Sequence, residues 1–378
     1  MSKAWFIGGA VALVIVALAG FGIWVARLPA GTEIAEAPPV PQQEAEAMLA
    51  ALEPPKRERP LVAVIGLNDA TETTDYLMPT GILRRADVAD VMLLATEAGP
   101  VQLYPALTVE ADATIAAFDA AHPEGADYVI VPAMSRDDDP AVMAWLRRQA
   151  EQGATIIGVC AGAKVVAAAG LLDGKQATTH WYYLAEMLKG SPTIRYVADR
   201  RMVADGSVAT TTGISASMPM MLTLIEAIAG REKAEAVAYD LGVAQWDARH
   251  ASSAFRVTRP FGTTVLANTL AFWNREKLGV RLDPGMDEVS LALVADAWSR
   301  TYRSNVMSYA ISTDAVESRN GIRLLPDLAE AQWPEERNVP AFSEQRPADA
   351  LDQALNAITA RYGEPTTNVV AMQLEYPR

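Results

Sequence analysis

The feature that most constrains this chain is Ala154–Val159, a short apolar, β-branched run that ends directly on Cys160, the only cysteine. Such a run reads as a strand buried on both faces, which belongs in a parallel sheet. The small, helix-forming residues 161–169 follow at once, and Gly170 stops them. Cys160 therefore falls at a strand-to-helix turn, inside Gly158-Val159-Cys160-Ala161-Gly162. That is the G-x-nucleophile-x-G spacing of a nucleophile elbow, where small neighbours permit a sharp turn. The N-terminus of the following helix is expected to favour the thiolate. A lone cysteine after an apolar strand is most often a small buried core residue. Spacing alone leaves both readings open.

At 378 residues and 51% hydrophobic, the chain can build one large or two modest cores. A net charge of −14 argues against a nucleic-acid partner held through its phosphates. One cysteine excludes an intrachain disulfide and any multi-cysteine metal site. No cofactor and no metal are expected. Asp137-Asp138-Asp139 is an acidic turn without further spaced ligands, so it reads as a solvated loop.

About twenty residues past Cys160 comes Ala177-Thr178-Thr179-His180-Trp181, with one of three histidines. From Val159 to Trp181 the sequence resembles the ThiJ/PfpI superfamily, related to class I glutamine amidotransferases. Isocyanide hydratases and the amidase-like domains of AraC-type regulators are the members it is most similar to. The resemblance covers roughly 60–243 and implies a doubly wound, flavodoxin-like, mostly parallel sheet. It also implies an acidic residue at the start of the first helix, four residues before a proline. Here that residue is Asp75, ahead of Pro79, with Glu72 as the fallback carboxylate. The resemblance would bring Asp75 near Cys160 as a proton partner; a helix-flanking role is the plainer alternative. His180 is the third candidate, either in direct proton work or in ordering the pocket wall. Ala133, Met134, Ala161, Gly162, Trp181 and Gly213 are the implied pocket or oxyanion residues.

Two departures from the family pattern bear on chemistry. The family usually carries Pro-Gly-Gly after its third strand, where this chain has Pro132-Ala133-Met134. Protease-like members place a histidine directly after the nucleophile, where this chain has Ala161. The AraC-type helix-turn-helix units are not evident. Two functions follow from the resemblance: a cysteine-dependent hydratase or amidase-like enzyme on a small molecule, or a non-catalytic sensor using the same pocket.

The remainder is organised around that domain. Residues 4–26 carry no charge and at 1.5 Å per residue span about 35 Å, which predicts a membrane-spanning anchor over 1–28. The charges beside it predict the soluble part on the non-cytoplasmic side. Residues 29–58, rich in Pro, Ala and Glu, read as a tether with one short helix over 42–52. The ThiJ/PfpI-like domain is expected over 59–243 and a C-terminal α/β extension over 244–378. The helix–strand–loop–strand order of 287–326 echoes that of 74–109, with arginines at both helix ends (Arg84, Arg85; Arg300, Arg303). A degenerate partial repeat and an unrelated extension both remain open. A helix over 348–362 and a strand over 368–374 close the chain. The expected partners are a small-molecule ligand or substrate and the membrane through residues 4–26, with a homodimer left open.

Overall fold

The structure, a computed structural model, describes residues 20, 22–31, 36–330 and 332–377. Its centre is a seven-stranded sheet. The strands are β1 (Leu61–Gly66), β2 (Asp90–Ala95), β3 (Ala113–Thr114), β4 (Tyr128–Val131), β5 (Thr155–Gly158), β6 (Met202–Asp205) and β7 (Val208–Thr211). They lie in the order β6-β7-β5-β4-β1-β2-β3. Every pairing is parallel except β6 with β7. β1, β4 and β5 are buried at every residue, which is why they read as continuous apolar runs. Chain order reverses between β1 and β4, and at such a switch point the carboxyl ends of an open sheet leave a crevice.

Helices cover both faces. α1 (Gln42–Ala51) precedes the sheet, and α2 (Thr73–Ala86) follows β1. Next come α3 (Pro140–Glu151), α4 (Gly162–Ala168), α5 (Ser217–Ala229) and α6 (Arg231–Leu241). Most of α2 is buried, because the C-terminal region packs on the side of it that would otherwise face water.

That region contains α7 (Arg259–Leu270), β8 (Glu276–Arg281), α8 (Glu288–Ser299), β9 (Ser304–Ala310), β10 (Leu328–Ala329), α9 (Pro347–Tyr362) and α10 (Glu364–Leu374). β8, β9 and β10 form a separate parallel sheet. One buried apolar cluster is shared by both regions, from Leu52 and Leu83 through Val289 and Leu293 to Leu351 and Leu374, while a second, including Leu61, Ile65 and Trp145, lies on the other face of the sheet and belongs to the first region alone.

Four expectations need correction. The first is the anchor, and with it the single-pass location and the membrane partner. Among the described residues no helix is long and apolar enough to cross a membrane. Most of 4–26 lies outside the described residues. Its described end is helical at 22–27, and Arg259 of α7 donates to the carbonyls of Val25, Ala26 and Leu28. Second, the later part of the expected tether, residues 42–57, is fastened to the domain, with Met48 and Leu52 in its core. Tyr128 donates its hydroxyl to the Leu52 carbonyl at 2.7 Å, and Arg57 pairs with buried Asp127 at 2.6 Å. Third, 368–374 is not a strand. Gly363, at φ 85°, breaks α9, and Pro365 fits the first turn of a new helix. Packing of Val369, Val370 and Leu374 then overrides the β preference of that stretch. Fourth, residues 194–198 and 201–204, which the sequence suggests as the two strands of a hairpin, do not pair with each other: β6 pairs with β7 across the Asp205-Gly206 turn, whereas Arg195–Tyr196 pairs in parallel with Gln176–Ala177.

Candidate active site

Cys160 follows the carboxyl end of β5 in the left-handed region, at φ 55°. For a residue with a Cβ this costs on the order of 1–3 kcal/mol, so the surroundings must hold it there. They do so from three sides. Its N–H donates to Thr211 Oγ1 at 3.0 Å, and its carbonyl accepts from Thr179 Oγ1 at 3.1 Å. The third side is Gly162, where an added Cβ would lie 1.9 Å from the Val131 carbonyl oxygen. The elbow and the 131–134 loop are therefore in backbone contact, which only glycine at 162 permits.

That loop reaches Asp75. Glu72 caps α2, its Oε2 accepting from the Asp75 N–H at 2.7 Å and from the Thr74 hydroxyl at 2.7 Å. This cap holds Asp75 in the first turn, fully buried. Asp75 Oδ2 accepts from the Ala133 N–H at 3.1 Å, and the Ala133 carbonyl accepts from the Glu72 N–H at 3.0 Å. Asp75 Oδ1 is buried without a hydrogen-bond partner. Neither Ala133 nor Met134 adopts a positive φ, so the replaced glycines leave an ordinary backbone. The Ala133 N–H, however, is committed to Asp75 and is not free to face an oxyanion. Met134 is buried and bridges to Thr71.

The electrostatics run against a resting thiolate. Burial pushes the Cys160 thiol well above its ordinary value, and Asp75 and Glu72 push it further. The Ala161 N–H and Arg300 oppose this without overcoming it. The expected helix N-terminus effect is thus outweighed by desolvation, because the site is closed and acidic. Asp75 is itself raised well above the usual carboxylate range, by burial first and by Glu72 second. Glu72 is pushed up to about 7 by burial and by Asp296, despite Arg300 Nη2 at 2.8 Å. Arg300 also holds Asp296, with its Nε 2.7 Å from Oδ2. The site is therefore a neutral thiol beside three buried carboxyl groups and one guanidinium.

His180 stands on the wall. Its Nε2–H donates to the Gln373 carbonyl at 3.0 Å, and its Nδ1 accepts from the Tyr182 N–H at 3.2 Å. Both ring nitrogens are engaged, and burial lowers its pKa, so the imidazole is neutral. Trp181 donates to the Met372 carbonyl at 2.8 Å and stacks edge-on with Phe261. The Gly213 N–H donates to Glu375 Oε2, and the Ser215 hydroxyl donates to the Glu375 carbonyl at 2.7 Å. His180, Trp181 and Gly213 thus all meet residues 372–375, which cover this side of the site.

Sequence reasoning missed Arg300 and Glu375 as site neighbours, since they lie far along the chain in a region outside the resemblance. The one available signal was the arginine at the equivalent end of two similar helices. Asp139 caps α3, and Asp137 pairs with Lys164 at 2.8 Å. Among the described residues no cluster of three His, Cys, Asp or Glu side chains is arranged to hold a metal ion.

Comparison with known proteins finds similarity over the region that holds the sheet and Cys160. Residues 62–227 match the model of the DJ-1/PfpI family. The isonitrile hydratase of Pseudomonas putida is 38% identical over 105 residues, covering 28% of this chain and 44% of the hydratase. The HTH-type transcriptional regulator CdhR of Pseudomonas aeruginosa is 32% identical over 143 residues, covering 37% of this chain and 41% of the regulator. The Parkinson disease protein 7 homolog of Danio rerio is 28% identical over 181 residues, covering 46% of this chain and 93% of the homolog. The matches thus span less than half the length of the hydratase and of the regulator. Among solved structures, oxidized Toxoplasma gondii DJ-1 aligns at a TM-score of 0.43 with 25% identity, covering 49% of this chain and all of that one. Drosophila melanogaster DJ-1beta aligns at 0.44 with 25% identity, over 50% of this chain.

Proposed function

We propose, from the premise that residues 62–227 are a DJ-1/PfpI-family domain, that this domain is a cysteine-dependent hydratase acting on a small, neutral, electrophilic molecule. One observation carries the reading. A cysteine held at φ 55° beyond a buried strand shares the 131–134 loop with a fully buried aspartic acid whose Oδ1 has no partner. A core cysteine needs no strained backbone and no adjoining buried carboxyl group.

The roles follow from the charge state. Cys160 Sγ is the nucleophile and Asp75 the proton carrier. With an isonitrile, the substrate class that the hydratase relative's name gives, the sulfur lone pair forms a C–S bond to the terminal carbon. The thiol proton passes through Asp75 to that carbon, leaving a neutral thioimidate. Water then adds to the C=N carbon, the C–S bond breaks, and the proton returns to sulfur through Asp75. The product is the N-substituted formamide, and water is the only co-reactant. A buried carboxyl group whose pKa is raised by desolvation and by Glu72 suits this work, because it holds its proton more firmly than an exposed acid and can donate it. His180, neutral and engaged at both nitrogens, orders the wall.

A second reading, a closed ligand-binding site without turnover, is favoured by one observation: Cys160 is only 5% exposed and residues 372–375 cover its wall. The rate of Cys160 alkylation by iodoacetamide against pH decides between them, with Asp75→Asn alongside and formamide release from a small isonitrile as the activity readout. Turnover abolished by Cys160→Ser, together with an alkylation profile displaced in Asp75→Asn, supports the enzyme. A thiol that stays unreactive up to pH 10 in the folded chain, without turnover, refutes it.

A further inference from the structure

The C-terminal region repeats the first. Strands open at Leu61, Asp90, Thr108 and Ala113, and again at Glu276, Ser304, Arg323 and Leu328, steps of 215, 214, 215 and 215 residues. α2 and α8 occupy the same interval in each set, and the two sheets have matching order, β1-β2-β3 and β8-β9-β10. A buttress recurs as well. Asp112 Oδ2 accepts from the Leu93 N–H at 2.7 Å, and Asp327 Oδ2 accepts from the Ser308 N–H at 2.7 Å. Later, α5 and α6 turn on Gly230 at φ 86°, ψ 168°, and end on left-handed Gly242. α9 and α10 turn on Gly363 at φ 85°, ψ 159°, and end on left-handed Glu375. Among the described residues, the second set lacks a counterpart of the β4-to-β5 stretch and of the elbow.

The two sets meet as the halves of a twofold dimer would. In such an interface, if position i of one half touches position j of the other, then j touches i. Arg85 pairs with Asp287, and Arg300 pairs with Glu72; Arg300 is Arg85 advanced by 215, and Asp287 is Glu72 advanced by 215. The strand Thr108–Glu110, paired on its other side with Pro100–Tyr104, pairs antiparallel with Arg323–Leu325, with Val109 opposite Leu324 and Glu110 opposite Arg323. Those partners also stand one repeat apart, centred on Val109 and Leu324. α2 and α8 pack together so closely that a Cβ on Gly81 would lie 2.5 Å from Glu288 Oε1.

We infer that residues 276–375 are a second, truncated copy of the domain, folded onto the first about a pseudo-twofold axis in place of a partner subunit, and that this copy supplies Arg300 as a positioning residue for Glu72 and Asp75 beside Cys160. The arrangement is asymmetric in use. The mirror pair, Arg85–Asp287, holds the interface where no cysteine is present. On the Cys160 side, Arg300 is the one guanidinium among Glu72, Asp75 and Asp296, and it lowers the pKa of both Glu72 and Cys160. The other titratable groups facing the thiol are Tyr183 and, beyond its ring, Lys164, the latter held by Asp137 and Glu186.

The second part of this inference rests on the cysteine-site reading, and the experiment separates the two. Arg300→Gln, Arg300→Lys and the mirror variant Arg85→Gln are made in the full chain. The pH profile of Cys160 alkylation is read for each, together with urea midpoints for those variants, for Glu72→Gln and Asp287→Asn alone, and for the Glu72→Gln/Arg300→Gln and Asp287→Asn/Arg85→Gln pairs. Arg300→Gln should slow alkylation at pH 7.5 about tenfold and displace the profile to higher pH, with Lys restoring most of it. Arg85→Gln should lower the midpoint similarly and leave the profile in place. Each double variant should shift the midpoint no further than its worse single variant. Profiles that move equally in Arg300→Gln and Arg85→Gln, or in neither, overturn the positioning role. Additive midpoint shifts in both pairs overturn the paired interface, and that readout stands even if the wild-type thiol never reacts.

Discussion

Replacing Gly162 by alanine tests whether the elbow and the 131–134 loop form one unit. The new Cβ would sit 1.9 Å from the Val131 carbonyl oxygen and 2.9 Å from the Pro132 carbonyl carbon and oxygen. An ordinary C···O contact is about 3.2 Å, so one backbone must retreat by about 1.3 Å. No flexible side chain is available to yield. An added methyl in a filled core typically costs about 1–3 kcal/mol. The displaced Val131 carbonyl also accepts the Val159 N–H at 3.0 Å, a bond worth about 1 kcal/mol. The sum is about 3 kcal/mol. Urea denaturation followed by tryptophan fluorescence measures it, with Gly190→Ala as control, since nothing lies within 4 Å of a Cβ there. We expect a loss of about 3 kcal/mol for Gly162→Ala, a change below about 1 kcal/mol for Gly190→Ala, and a displaced Cys160 alkylation profile in the former only. A Gly162→Ala midpoint within error of wild type would refute the contact and the shared-loop argument built on it.

Two further outcomes follow from the carboxyl cluster and its cover. Glu72 is pushed up from 4.5 to about 7 in the folded chain, so its contribution to stability is present below pH 4.5 and lost as pH rises through 7. At 1.36 kcal/mol per pH unit that is up to about 3 kcal/mol, and Glu72→Gln should flatten the decline of the urea midpoint between pH 5 and 8; parallel curves for the two proteins would contradict the assignment. Glu375→Ala removes the acceptor of the Gly213 N–H and the partner of His250 at 3.0 Å, which should cost about 2–4 kcal/mol and speed Cys160 alkylation by loosening residues 372–375; an unchanged alkylation rate would show that this segment is not the cover.

The strands β1, β4 and β5 were legible because burial on both faces leaves only apolar residues, a local signature that needs no partner to be read. The strand–Cys160–helix turn was legible for a similar reason, since its small residues reflect a backbone constraint within five positions. Asp75 came from a resemblance, not from periodicity, because a buried acid at a helix start has the same spacing as an ordinary cap. What the local pattern misjudged was energetic. A helix N-terminus beside sulfur argues for a thiolate, yet desolvation and two carboxyl groups reverse that sign, and neither is visible along the chain. The same holds for 368–374, where β-branched residues form a helix because Gly363 and Pro365 redirect the chain and the core accepts the other face.

By itself, then, the sequence determined a doubly wound domain with a cysteine at a sharp turn, and it contained a faint repeat of helix, strand and terminal arginines. Only the tertiary structure decided what surrounds the sulfur. Arg300, Glu375 and the 131–134 loop converge on the site from positions far apart in sequence, and hydrogen bonds, burial and ion pairing depend on separation in space. The reciprocal pairs Arg85–Asp287 and Arg300–Glu72 make the point most directly. Each arginine reads as an exposed helix end until α2 and α8 pack together and turn it into a buried contact.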